Sequence, residues 1–242
     1  MTVQRIEELT PRLRRFVLAG PELEGLEIDE PAASVRLLIP PAVDAELEMP
    51  TWTGNQFELS NGERAPIRTF TPRHLDDETN ELTIDVVVHD GGAASDWADA
   101  ASPGDEVAVS GPGRGYDIDA DATSYLLAGD ETAIPAISQL IEVMPNTMPL
   151  RVIVEIETPD AELDLPPHPD CAVSWVVNAD GASPGAALVD TITGLTDVPP
   201  AVWVAGEAAA VQKIRKHLFD QRGMSRSDAT VRGYWKHGRS AT

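Results

Sequence analysis

The chain predicts an all-β half followed by a parallel α/β half. Three observations carry this reading. Through residue 110, β-rich runs follow one another through turns, with one short helical stretch near the end. The stretch Gly111-Pro112-Gly113-Arg114-Gly115 fits no regular element and marks a break. Beyond it, β-rich runs alternate with helical stretches, the pattern of strand–helix–strand units on a parallel sheet. The division is expected inside that break, with residues 1–114 as one domain and 115–242 as the other.

In the first half, Val3 to Gly20 reads as a strand, a turn at Thr10-Pro11, and a second strand through Arg14-Arg15-Phe16-Val17-Leu18. Ser34 to Pro40 holds another short strand, closed by Pro40-Pro41. Asp44 to Asn61 carries turn formers without periodicity and reads as a loop. Arg68 to Arg73 is extended, because Pro72 biases the residue before it away from helix. Glu81 to His89 alternates: Leu82, Ile84, Val86 and Val88 share one face, while Thr83, Asp85, Val87 and His89 share the other. Gly91-Gly92 then turns the chain into a short helix over Ala93 to Ala100, and Glu106 to Ser110 is a strand after the turn at Pro103-Gly104-Asp105.

In the second half, Ser124 to Ala128 is a buried strand, and Glu131 to Met144 is a helix stopped by Pro145. Leu150 to Ile156 and Ala172 to Val177 are strands. Pro184 to Leu195 is a helix with proline near its first turn. Val202 to Ala205 is a strand, Ala208 to Arg222 a helix with Gly223 beyond its end, and Val231 to Trp235 a last short strand. Ligands of such sheets bind beyond the carboxyl ends of the strands.

An apolar share of 42% over 242 residues is enough for sizeable cores. No window approaches the roughly eighteen uninterrupted apolar residues of a membrane helix, and the N-terminal residues lack a signal peptide's apolar core. The single cysteine, Cys171, excludes an intrachain disulfide and a cysteine-based metal constellation. A cytoplasmic location is expected. The formal charge of −22, with Lys213, Lys216 and Lys236 as the only lysines, repels nucleic acid and anionic membranes, so neither is expected as a partner. Any basic cluster stands out against this background. Arg232, Lys236, His237 and Arg239 form one near the C-terminus, which is either an anion-binding site or a solvated tail.

Arg68-Thr69-Phe70-Thr71-Pro72-Arg73 places two guanidinium groups, two hydroxyls and a ring in six residues. An extended segment of this kind suits a dinucleotide laid across a strand, with a guanidinium on the pyrophosphate and the ring against flavin or ribose. An exposed edge strand with surface arginines has the same appearance. The glycine-led start of the Ala93 helix offers unpaired amides for a phosphate, or is simply capped. Gly129-Asp130-Glu131-Thr132-Ala133-Ile134-Pro135-Ala136 joins strand to helix without the usual Gly-x-Gly-x-x-Gly fingerprint.

Taken together and in order, these segments resemble the siderophore-interacting proteins, a branch of the ferredoxin-reductase-like flavoenzymes. The matching pieces are Arg68 to Arg73, Asp85 to His89, Gly91 to Trp97 (Gly-x-Ala-Ser-x-Trp), Gly129 to Ala136 (Gly-Asp-Glu-Thr-Ala-x-Pro-Ala), Val202 to Glu207 and Gly233-Tyr234-Trp235, covering almost the whole chain. The chain departs from the pattern at Phe70, Ala93 and Asp96, which stand where tyrosine, proline and a basic residue are usual.

The resemblance implies an N-terminal antiparallel Greek-key β-barrel that binds FAD and a Rossmann-like domain that admits NADH or NADPH. It assigns Arg68, Thr69, Phe70, Thr71, the run Asp85, Val86, Val87, Val88 and His89, and Ala94, Ser95 and Asp96 to FAD. It assigns Asp130, Thr132 and Ala133 to the nicotinamide end and Trp235 to a segment covering the flavin. Arg232, Lys236, His237 and Arg239 would hold a ferric siderophore. The acidic strand end Glu155-Ile156-Glu157 leans towards NADH, since carboxylates suit free ribose hydroxyls and repel a 2′-phosphate. The implied enzyme is a monomer that reduces Fe(III) in a siderophore, with no protein metal site, acid–base pair or nucleophile. A general flavin or quinone reductase and a flavin-free siderophore carrier are the alternatives.

Overall fold

The structure, a computed structural model, describes residues 1–43, 45–89 and 91–238. The chain forms two compact units, one spanning Met1–Tyr116 and the other beginning at Asp117. No helix among the described residues is long and apolar enough to cross a membrane.

The first unit contains β1 (Thr2–Thr10), β2 (Leu13–Ala19), β3 (Val35–Leu38), β4 (Thr51–Trp52), β5 (Phe57–Glu58), β6 (Ile67–Phe70), β7 (Pro72–Asp76) and β8 (Glu81–Val87), then helix α1 (Ala93–Ala100) and β9 (Ala108–Ser110). The order β1-β2-β8-β7 makes one antiparallel sheet and β6-β3-β9 a second. The two sheets enclose one core in which Phe16, Leu82 and Ile84 meet Val35, Leu37 and Val107. Backbone links β1 to the segment leading into β9, and β6 to β7. The Val3 amide donates to the Asp105 carbonyl at 2.9 Å. The chain also passes from β6 to β7 through Thr71. The extended run predicted as one strand is thus two, because Thr71-Pro72 carries the chain from one sheet into the other.

Two further differences have local causes. The region predicted as a loop contains the β4–β5 hairpin, pinned by a Trp52–Phe57 ring pair at 5.0 Å. Strands of two residues are too short to leave a periodic signal. Residues 113–116 pack back on the first unit, with the Gly113 amide on the Ser34 carbonyl at 2.6 Å and the Tyr116 amide on the Pro31 carbonyl at 2.8 Å.

The second unit contains β10 (Tyr125–Asp130), α2 (Ile134–Val143), β11 (Leu150–Ile156), β12 (Cys171–Val177), α3 (Ala186–Thr193), β13 (Ala201–Glu207), α4 (Ala208–Lys216) and β14 (Ala229–Trp235). The strands form a five-stranded, wholly parallel sheet in the order β12-β11-β10-β13-β14. Strand order reverses between β10 and β13. The crevice at the carboxyl ends of those two strands is therefore where such folds receive ligands. The central strands β10 and β13 are buried along their whole length, which explains their continuous apolar character. The helix read as continuing to Arg222 changes after Lys216 into a π-helical turn, His217–Gln221. The fold class is the one the sequence predicts, an antiparallel β unit followed by a parallel α/β unit.

Candidate functional site

On β6 the motif residues divide by face. Arg68 stands opposite Leu37, and Phe70 opposite Val35, both core residues of β3. Thr69 is exposed on the other face opposite Arg36, and Thr71 is buried at the passage between sheets. Arg68 is half-buried, and its Nη1 donates to the carbonyl of its neighbour Ile67, at 3.0 Å. Among the described residues no acid pairs with it. Burial pulls its pKa below the ordinary arginine value, and the nearby Arg64 guanidinium pulls it further. A half-buried cation beside a second cation, with no acid paired to it among the described residues, is an unfavourable arrangement that an anion would relieve.

The outer face of the same sheet holds a groove that the motif reading missed. It has a volume of about 360 Å³ and is lined by Ser34, Arg36, Thr69, Ser110 and the Gly111-Pro112-Gly113 loop. Arg36 faces Thr69 on one neighbouring strand and Ser110 on the other. The only sequence signal was one arginine in an apolar strand, which resembles any outward-facing residue.

Asp85 to His89 turn out to have different surroundings. Asp85 lies directly across from Arg15 on β2, and its two oxygens accept from Arg15 Nε and Nη2, each at 2.8 Å. Its side chain is 2% exposed, so the carboxylate serves a cross-strand ion pair and does not face an open site. Val86 points into the core, which leaves only its backbone for a ligand. β8 ends at Val87; Val87 and Val88 are half-buried, and His89 is exposed beyond the strand. Ser95 is 1% exposed, and its hydroxyl accepts from the His89 amide at 3.1 Å. The serine expected on a phosphate therefore ties the start of α1 to the end of β8. Ala94 is half-buried and Asp96 exposed.

In the α/β unit, Asp130 ends β10 at the reversal. Its Oδ1 accepts from the Thr132 amide at 3.0 Å and from the Thr132 hydroxyl. Its Oδ2 accepts from the Glu207 amide and the Trp235 indole Nε1, both at 2.8 Å. A bulge at Gly206/Glu207 sets Trp235 level with Glu207 and so within reach of Asp130. Gly206 has φ +152, and a Cβ there would lie 2.6 Å from Asp130 Oδ2, so only glycine leaves room for the carboxylate. Asp130 and Thr132, expected at a nicotinamide, are engaged with each other and with the protein. Ala133 is fully enclosed.

Two more carboxylates sit at this edge. Glu207 Oε2 accepts from the Ala209 and Ala210 amides at the start of α4, at 2.7 and 2.9 Å, while its Oε1 accepts from the His237 amide at 3.2 Å. Glu155, at the end of β11, accepts from the Gly185 amide at 2.6 Å and the Leu188 amide at 2.8 Å. It is 5% exposed and caps α3, so it does not present itself to a ribose. Of the acidic strand end Glu155-Ile156-Glu157 expected to favour NADH, Glu155 is thus occupied within the protein and Glu157 is exposed. Trp203 is a core residue whose ring meets Tyr234 edge-on at 6.3 Å. Of the basic cluster, Arg232 is half-buried on β14 and Lys236 and His237 are exposed; Arg239 lies outside the described residues. Among the described residues no cluster of His, Cys, Asp and Glu has a metal-binding arrangement.

Burial pushes the Asp130 and Glu155 carboxyls above their ordinary values of 3.8 and 4.5, overriding the hydrogen bonds that lower them. A carboxyl whose pKa is raised by folding stabilises the fold fully below its unfolded pKa, and that contribution is lost as pH rises through the folded value. Acidification from neutrality towards the ordinary carboxyl range is therefore expected to make this contribution progressively more favourable to the unit's urea midpoint, and Asp130→Asn to reduce that pH dependence. A midpoint that falls over the same range in the wild type would contradict the assignment.

Comparison with known proteins follows the same two-part division. The family model described as "Siderophore-interacting FAD-binding domain" matches residues 2–116, and that described as "Siderophore-interacting protein" matches 122–238. The crystal structure of a siderophore utilization protein from T. fusca is 33% identical, with a TM-score of 0.87 over 100% of this chain and 93% of that one. An uncharacterized protein of Mycobacterium tuberculosis is 33% identical over 96% of this chain and 88% of its own length. The ferric vibriobactin reductase ViuB of Vibrio cholerae is 27% identical over 98% of this chain and 88% of its own.

Proposed function

This chain belongs to the siderophore-interacting protein family, and we propose that it is a cytoplasmic, FAD-containing oxidoreductase that reduces Fe(III) held by a siderophore with electrons from NADH or NADPH. The observation that carries the reading is Arg68, a half-buried guanidinium with no acid partner among the described residues, lying within the part matched by the FAD-binding family model. A pyrophosphate is the anion it lacks. The surrounding residues fit the rest of the cofactor: Phe70 offers a partly exposed ring, Thr69 a hydroxyl, and Ala94 a backbone amide in the first turn of α1.

Bound FAD would accept a hydride and release electrons one at a time. The protein's part is to bind, orient and set charge. Arg68 holds the phosphates, the Arg15–Asp85 pair keeps β8 in register beneath the site, and Ser95 fixes the turn into α1. Ferric siderophores are oxygen-rich and often anionic. Arg36 in its groove and the group Arg232, Lys236 and His237 are the cationic surfaces that would receive one. Reduction lowers the charge of the iron and weakens its hold on hard oxygen ligands, so the metal is released.

The test is an absorption spectrum of purified protein loaded with FAD and freed of excess, followed anaerobically. Flavin bands are expected to persist, to bleach with NADH or NADPH, and to return on addition of a ferric siderophore. Retained flavin that no reduced nicotinamide bleaches would refute the proposed donor. Absence of retained flavin would refute the enzyme reading and leave a carrier.

A further inference from the structure

We propose that the α/β unit recognises its electron donor by the nicotinamide and its ribose alone, because three buried carboxylates close the carboxyl edge of the sheet to a pyrophosphate. This rests on the reading above that the donor is a reduced nicotinamide. In a parallel sheet with a reversal of strand order, a dinucleotide pyrophosphate lies on free amides at a helix N-terminus near the reversal. Here those positions are occupied from within the chain. Glu207 takes the Ala209 and Ala210 amides of α4, Glu155 takes the Gly185 and Leu188 amides at α3, and Asp130 takes the Thr132 amide ahead of α2 together with the Glu207 amide.

The arrangement is anchored by backbone as well as side chains. Gly206 leaves the space that Asp130 fills, and Gly185 has φ +81 with no room for a Cβ against Ala210. The carboxylates are 8, 5 and 4% exposed at Asp130, Glu155 and Glu207. Among the described residues none of the three forms an ion pair with a lysine or arginine. Asp130 acts on Glu155, adding with the neighbouring Glu157 to the upward shift that burial gives it. A pyrophosphate arriving here would have to displace a carboxylate from two amides, exchanging like for like, and would still face the remaining negative charges. Nicotinamide and ribose carry no negative charge and require no helix amide.

The test uses the FAD-loaded protein, anaerobically, with NADH, NADPH and reduced nicotinamide riboside, which lacks both phosphates and the adenosine. The expected result is a kcat/KM for the riboside within about threefold of that for either dinucleotide, and no inhibition of the riboside reaction by millimolar ADP-ribose. A preference for a dinucleotide of more than about 30-fold, or inhibition by micromolar ADP-ribose, would overturn the proposal while leaving the enzyme reading intact. Bleaching by none of the three donors would overturn both. The double variant Glu155→Gln/Glu207→Gln, which removes both charges and keeps one acceptor oxygen at each cap, is expected to lower KM for NADH about fivefold more than KM for the riboside. An equal change for both donors would also count against the proposal.

Discussion

Arg68→Ala is expected to weaken FAD binding by about 2–3 kcal/mol, roughly 30- to 150-fold, through loss of a charge-assisted contact to the pyrophosphate. The same substitution should leave the apoprotein's stability almost unchanged. Among the described residues Arg68 donates to the carbonyl next to it and pairs with no acid, and its burial already disfavours its charge beside Arg64. Removing an uncompensated, half-desolvated cation takes little from the fold. Two measurements separate the effects: flavin affinity from quenching of flavin fluorescence, and the urea midpoint without flavin. Unchanged affinity in the variant would show that the anion of this site is not the FAD pyrophosphate. Arg68→Lys is expected to recover part of the affinity, since it restores charge without the two-pronged donor geometry.

Asp130→Ala is expected to carry the largest stability cost, about 3–5 kcal/mol for the α/β unit. The carboxylate is the acceptor for the amides of Thr132 and Glu207 and for the indole of Trp235, and the alanine leaves buried donors on three segments without it. Asp130→Asn should cost less, about 1–3 kcal/mol, yet not be silent. An asparagine amide has one acceptor oxygen, so its NH₂ must face N–H donors on one side or the other. Trp235→Phe removes a single donor and should cost about 1 kcal/mol, with near-ultraviolet circular dichroism reporting the loss of a fixed indole. Urea unfolding of the three variants at one pH tests the ordering, and an alanine variant as stable as the wild type would refute the central role given to Asp130.

Much of the fold was legible because its signals are local. The change from turn-linked strands to alternating strands and helices is a matter of periodicity and punctuation, which neighbouring residues settle among themselves. So were the Arg68 to Arg73 segment and the Gly129 to Ala136 junction, whose residue types and order carry the family resemblance. The β4–β5 hairpin was not legible, because two-residue strands depend on one aromatic pair. Nor was the switch of sheets at Thr71-Pro72, since either sheet accepts the same extended backbone.

By itself the sequence determined the two-part architecture, the acidic surface, the family, and the residue types available to a flavin and a nicotinamide. Only the tertiary structure decided which of those groups remain available. Asp85 looked open on a polar strand face, and Arg15 from the adjacent strand neutralises it. Ser95 looked ready for a phosphate, and the His89 amide holds it inside. Glu155 looked placed for a ribose, and the start of α3, thirty or more residues further on, takes both its oxygens. Arg68 alone of these charged candidates was left without a partner acid among the described residues. The physical reason is that a hydrogen-bonding group is claimed by whatever folding brings within about 3 Å of it. Side-chain chemistry is written residue by residue, whereas those distances are set by strand register and by segments far apart in the chain.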